Sequence, residues 1–225
     1  MRLVNTRLGM EIELYENQVL NLTIETPERF AEVVYNVSKQ VEGEEGDFIL
    51  SDIEKELSLE RKAIMVSNPL MVNCNEKKIL SQLYKNLSET ISEDYAEEFA
   101  SVNQQILCFM DKIVNTSAYN LTFDVDFPAA GMIKYCNVHV DACYHSLAEK
   151  FIDYLRAMKT ICNTDIVFVL NLKQYFGIED LREIYKHCFY TKTCLVNLEG
   201  IKTNPIEGDR YIIVDKDLCV LNMPY

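Results

Sequence analysis

Asp165–Leu198, DIVFVLNLKQYFGIEDLREIYKHCFYTKTCLVNL, decides the fold class. Ile166, Val167, Phe168, Val169 and Leu170 form one short apolar run, and Cys194, Leu195, Val196, Asn197 and Leu198 form a second. Near-continuous apolar strands suit a sheet covered on both faces, as parallel sheets with crossover helices require. Between the runs, Ile178, Leu181, Ile184, Tyr185 and Cys188 recur at helical spacing. Glu179 and Asp180 stand in the first turn and Lys186 and His187 near the last, the polarity that the helix dipole favours. The stretch predicts a β-α-β unit, and the fold class is α/β.

Working outward, Met10 to Leu14 and Val19 to Ile24 alternate with period two around Glu16-Asn17-Gln18, which predicts a hairpin. Thr26 then precedes Pro27 as an N-cap. Phe30, Val33, Val34, Val37 and Val41 form the apolar stripe of a helix that Gly43 ends. Phe48 to Leu50 reads as a third short strand. From Asn75, read as an N-cap, to Asn115 the pattern is helical. Ile79, Leu83, Leu87 and Ile91 recur at four-residue steps, and Tyr95, Phe99, Val102, Ile106, Phe109 and Ile113 alternate steps of four and three. The two helices are expected to pair as a hairpin, whose seams bury little unless a second copy or the α/β body covers them. Beyond them a short strand is expected at Val138 to Val140 and a helix from Cys143 to Cys162, with Phe151, Leu155 and Met158 inward and Glu149, Asp153 and Arg156 outward. Tyr211 to Val214 and Leu218 to Leu221 flank Asp215-Lys216-Asp217 as a closing hairpin.

Of 225 residues, 48% are hydrophobic, ample for a conventional core in one or two domains. No run of about 18 apolar residues occurs, and Met1-Arg2-Leu3 opens no signal-peptide core, so a cytoplasmic, membrane-free location is expected. Eight cysteines without a C-x-x-C pair, mostly within apolar stripes, read as buried free thiols. Cys136, His139 and Cys143 have the spacing of three zinc ligands, but no fourth stands near in sequence and the thiols have core-type neighbours. The 22 basic and 35 acidic side chains leave a formal charge of -13. That charge repels a polyanion at long range unless basic side chains gather on one surface or cations bind the acidic ones.

The chemistry open to these residues is narrow. Seven glycines occur, none in G-x-x-x-x-G-K-[ST] or G-x-G-x-x-G. Glu199-Gly200-Ile201-Lys202-Thr203 comes nearest, yet no first glycine precedes it, so no nucleotide is expected. No G-x-S-x-G elbow accompanies the three histidines, and His187 has a structural reason at the negative end of its helix. Asp124 and Asp126 alternate on an extended segment, where a hard cation such as calcium could bridge their carboxylates. Pro128 and Ala129 exclude an EF-hand loop.

Several segments together carry a resemblance: the proline-started helix Pro27 to Val41, the helical insertion ending in Leu121-Thr122-Phe123-Asp124, and Met132-Ile133-Lys134-Tyr135. The strand Ile166 to Asn171 and the ending Tyr211-Ile212-Ile213-Val214-Asp215-Lys216-Asp217 complete it. Over nearly its full length the chain resembles the small ring-forming accessory protein of spacer acquisition in subtype II-A CRISPR systems. The resemblance implies a head with a P-loop-NTPase-like mixed sheet lacking the phosphate loop, residues 1–60 and 132–225, and an inserted α-helical leg, residues 61–131. It implies a non-enzymatic homotetrameric ring around double-stranded DNA that loads from free ends without sequence preference. Its partners would be the integrase and effector nuclease of the same antiviral system. It also implies structural calcium, with Asp124 and Asp126 at the matching positions, although Phe127 to Gly131 departs from the acidic stretch expected next. The expected DNA-facing residues are Lys134, Lys150, Arg156 and Lys159, which flank the matched segments and would contact phosphates without reading bases. Two other readings stay open: a divergent nucleotide- or metal-dependent nuclease or phosphotransferase, and a protein-binding adaptor that uses the helical leg.

Overall fold

The computed structural model describes residues 1–53, 55–124, 127–217 and 219–224. Its elements are β1 (Arg2–Asn5), β2 (Met10–Glu13), β3 (Val19–Ile24), α1 (Pro27–Val41), β4 (Phe48–Asp52), β5 (Lys55–Leu57), α2 (Leu59–Lys62), β6 (Ala63–Val66), α3 (Lys77–Asp94) and α4 (Ala96–Val114). There follow α5 (Ala129–Tyr135), α6 (Leu147–Thr160), β7 (Ile166–Leu170), α7 (Ile178–Thr191), β8 (Cys194–Glu199), β9 (Asp209–Val214) and β10 (Val220–Pro224). They divide into two compact units, Met1–Cys74 with Ala142–Tyr225, and Asn75–Asp141.

The first unit holds two sheets. The larger has the order β10-β9-β3-β8-β7-β6, parallel except for β10 at one edge. The smaller, β2-β1-β4-β5, is antiparallel. The β-α-β unit read from Asp165–Leu198 is β7, α7 and β8, with Ile166 beside Cys194 and Leu170 beside Leu198. The pleat sorts each central strand into two faces. Leu20, Leu22 and Ile24 of β3 and Val196 and Leu198 of β8 join Val33 and Val37 of α1 and Leu3, Ile12 and Leu50 of the small sheet in one core. Each such side chain contributes about 1.5–3 kcal/mol on burial. The opposite face of the same strands is polar and equally buried: Asn21, Thr23, Asn197 and Glu199.

The expected hairpin of Met10–Leu14 and Val19–Ile24 does not form. β2 pairs with β1 in the small sheet, while β3 lies between β8 and β9 in the large one. A period of two specifies a strand and its buried face, not its partner. No strand forms at Val138 to Val140; that segment is irregular, and Ala129–Tyr135 before it is helical. Asn75 does not cap α3, whose N-cap is Glu76. Instead the Asn75 amide donates to the Val140 carbonyl at 2.9 Å and accepts the Val140 N–H at 2.8 Å. Cys74, Cys188 and Cys194 are buried thiols as expected, but Cys108, Cys136, Cys143 and Cys219 are exposed. A place in or beside an apolar stripe does not ensure that another element covers it.

In the second unit a single residue, Tyr95, separates α3 from α4, too short a link for an antiparallel helix pair. The expected helical hairpin is therefore absent: α3 packs chiefly on α5, and α4 has no buried residue along its length. The insertion expected at 61–131 instead spans Asn75–Asp141. Ala63–Val66 is held in the large sheet as its edge strand beside β7, and α5 is held by α3. Among the described residues no helix is long and apolar enough to cross a membrane.

Candidate nucleic-acid interface

Lys77 and Lys78 open α3 with no acidic residue in its first turn, so cations stand at the positive end of the helix dipole. That arrangement costs helix stability, which the carboxylate of the N-cap residue Glu76 offsets in part. Along the same helix Lys77, Ser81, Lys85 and Ser88 recur at steps of four and three, opposite the stripe of Ile79, Leu83 and Leu87. Lys134, in the last turn of α5, shares with them a groove of about 590 Å³ whose lining includes Asn75, Lys77, Tyr84, Lys85, Ser88 and Lys134. Lys85 has Glu89 at 3.9 Å, an exposed pair of little worth. Among the described residues no carboxylate pairs with Lys77 or Lys134. The groove concentrates positive charge in a chain of net charge -13.

Of the residues expected to face DNA, only Lys134 lies in this groove. Lys150, Arg156 and Lys159 stand on α6 in the first unit, and at about 3.6 residues per turn Lys150 and Lys159 lie roughly two and a half turns apart, on opposite sides of the helix. Arg156 donates to Asp153 Oδ1 at 2.7 Å, Lys159 to Asp165 Oδ1 at 2.6 Å, and Lys150 to the Leu70 carbonyl at 3.0 Å. Lys62 occupies the other Asp165 oxygen at 2.6 Å. Burial raises the Asp165 carboxyl, but the hydrogen bonds and charges of Lys159 and Lys62 outweigh it and hold the group below the usual carboxylate range. Arg156 and Lys159 are thus neutralised locally. Lys77 and Lys85 escaped sequence reasoning, although the polar stripe complementary to Ile79, Leu83 and Leu87 and the basic first turn of α3 signalled them.

Asp124 is exposed on irregular chain, and Asp126 lies outside the described residues. Among the described residues no three His, Cys, Asp or Glu side chains converge as a metal site needs, and this covers Cys136, His139 and Cys143. The described residues do not by themselves make a calcium site. The turn from β3 into α1, where an open α/β sheet can carry a phosphate loop, is Glu25-Thr26, closed by Pro27. Two residues without glycine make no nest of backbone amides, and the exposed Glu25 brings a carboxylate into that turn.

The model of the CRISPR-associated protein family (Cas_Csn2) matches residues 40–218. The chain belongs to that family. Membership in Cas_Csn2 gives it a CRISPR-associated role, and the lysine groove and the glycine-free turn are features of a Cas_Csn2 chain. Among solved structures the chain is similar to one described as an ABC transporter (ATP-binding protein) from Pyrococcus furiosus. The identity is 10%, 90% of this chain and 88% of that chain are covered, and the TM-score is 0.39. At that distance the likeness carries no argument about ligand or activity.

Proposed function

We propose that this Cas_Csn2 protein is a non-enzymatic, homotetrameric ring that closes around double-stranded DNA ends, without sequence preference, during CRISPR spacer acquisition. The observation that supports this reading is the groove between α3 and α5, where Lys77, Lys85 and Lys134 gather in a chain whose net charge otherwise repels DNA. Lysine is a compact point charge suited to phosphate, which carries no sequence information. A ring repeats the groove in every copy and turns acidic surface outward. The Glu25-Thr26 turn supports a role without nucleotide chemistry, and the integrase and effector nuclease of the same system are the protein partners of this reading. A gel-shift comparison tests it: linear duplex with free ends should bind, whereas the same fragment blocked at both ends and a covalently closed circle should not. Equal binding to free and blocked fragments would sink the encircling mechanism while leaving DNA binding itself in place.

A further inference from the structure

The polar face of the large sheet is a hydrogen-bonded layer whose donors are almost all used. Asn21 Nδ2 donates to Asp209 Oδ1 at 2.7 Å, and the Tyr185 hydroxyl donates to the same oxygen at 2.9 Å. Asn197 Nδ2 donates to Asn21 Oδ1 at 3.0 Å and to Glu199 Oε1 at 2.8 Å, while Asn197 Oδ1 accepts the Leu172 N–H at 2.9 Å. An ammonium has three protons. Lys173 donates to Asp209 Oδ2 and the Tyr211 hydroxyl at 2.6 Å each, and to the Asn204 carbonyl at 3.0 Å. Two atoms of the layer are left over: among the described residues Glu199 Oε2 and Thr23 Oγ1 have no hydrogen-bond partner.

Both residues are 0% exposed. They are also partners in register at the C-terminal ends of β3 and β8, so their side chains leave the sheet on the same face. The titratable groups of this layer are Lys173 from the segment after β7, Asp209 and Tyr211 of β9, and Tyr185 of α7, of which Lys173 acts on Glu199; β7 itself offers only apolar side chains. Lys173 is the cation among them, and Asp209 already balances it. An ionised Glu199 would therefore be a sealed charge answered only by the Asn197 amide, the Lys173 backbone amide and an ammonium already bound to Asp209, a costly state.

We propose that Glu199 is held as the neutral acid, so that one proton taken from solvent on folding removes its charge from the sealed layer. Burial pushes the Glu199 carboxyl above its ordinary range, and the Asn197 amide and the Lys173 amide and charge only temper that effect. The layer also holds the loops that cover it. Asn171 N–H bonds the Leu198 carbonyl at 3.0 Å beside the Leu172–Asn197 bond, and Lys173 holds Asn204 in the segment between β8 and β9. Loss of the proton sets a second anion competing with Asp209 for Lys173 and loosens both segments. Because the folded value lies above the unfolded one, the stabilisation is complete below the unfolded value and is lost as pH rises through the folded value.

An NMR titration of the Glu199 side-chain carboxyl in the full chain, assigned through bonds, tests the proposal alongside hydrogen exchange at the Asn171 and Leu172 amides. Glu199 should titrate well above the exposed glutamates. Protection at both amides should fall about tenfold per pH unit beyond its midpoint, and Glu199→Gln, which mimics the neutral acid, should remove that pH dependence. Titration of Glu199 together with the exposed glutamates overturns the proposal. So does protection that follows added sodium or magnesium rather than protons. Should Glu199→Gln fail to fold, the titration of the unaltered chain decides alone.

Discussion

Replacing Lys173 by methionine leaves Asp209, 0% exposed, with its charge unanswered beneath a side chain that is itself 7% exposed. Removing one partner of a buried pair costs about 3–5 kcal/mol, because the penalty is the stranded charge rather than the missing attraction. The double change Lys173→Met with Asp209→Asn should recover much of that loss, a coupling that urea denaturation of the single and double variants measures. Asp165 behaves differently, since it is partly exposed and answered from two sides by Lys62 and Lys159. Its folded value lies below the usual one, so the stability it adds is present above the unfolded value of about 3.9 and is lost as pH falls through the folded value. Asp165→Asn should cost about 1 kcal/mol at neutral pH after allowance for solvent screening. Denaturation midpoints of the two chains should converge in acid, and a constant difference across the pH range would show that packing rather than charge carries the effect.

Among the elements, α4 buries no residue: Phe99 and Ile106 are half-buried, while Tyr95 at its start, then Val102, Phe109 and Ile113, stay exposed. A second copy of the chain is the cover that a ring supplies, and Phe109→Asp should shift light scattering from an assembly toward the 26.1 kDa monomer without loss of helical circular dichroism. A monomeric unaltered chain would remove the ring instead. The elements also show where sequence was legible. β7, α7 and β8 were, because strands buried on both faces and a helix with one apolar stripe and an acidic first turn leave one solution, although Lys186 and His187, read near its end, lie inside α7 and its last turn holds no basic residue. The partners of β2 and β3 were not, since alternation leaves the neighbour open. The failed helical hairpin turned on one residue of connection at Tyr95, which no apolar stripe encodes. At the groove, Lys134 was found through the segment around it. Lys77 and Lys85 were overlooked because a polar stripe on a helix usually means solvent, and only α5 alongside makes it a groove.

At the scale of the whole molecule, the net charge of -13 and a polyanionic partner are compatible only if attraction is local. At about 0.1 M salt the Debye length is about 10 Å, so distant acidic residues are largely screened while lysines touching phosphate are not. Each phosphate they neutralise releases counterion and steepens the log-log fall of affinity with salt by about 0.9. Lys77→Ala with Lys134→Ala should therefore weaken binding to all duplex sequences alike and flatten that slope by about 0.9 for every phosphate no longer neutralised, without changing preference among sequences. Arg156→Ala and Lys159→Ala should leave the slope as it was, because Asp153 and Asp165 already neutralise those side chains; the second should instead reduce stability. The opposite pattern, a slope that responds to the α6 residues and not to those of α3 and α5, would move the interface to α6 and would mean that the ion pairs with Asp153 and Asp165 open when DNA binds.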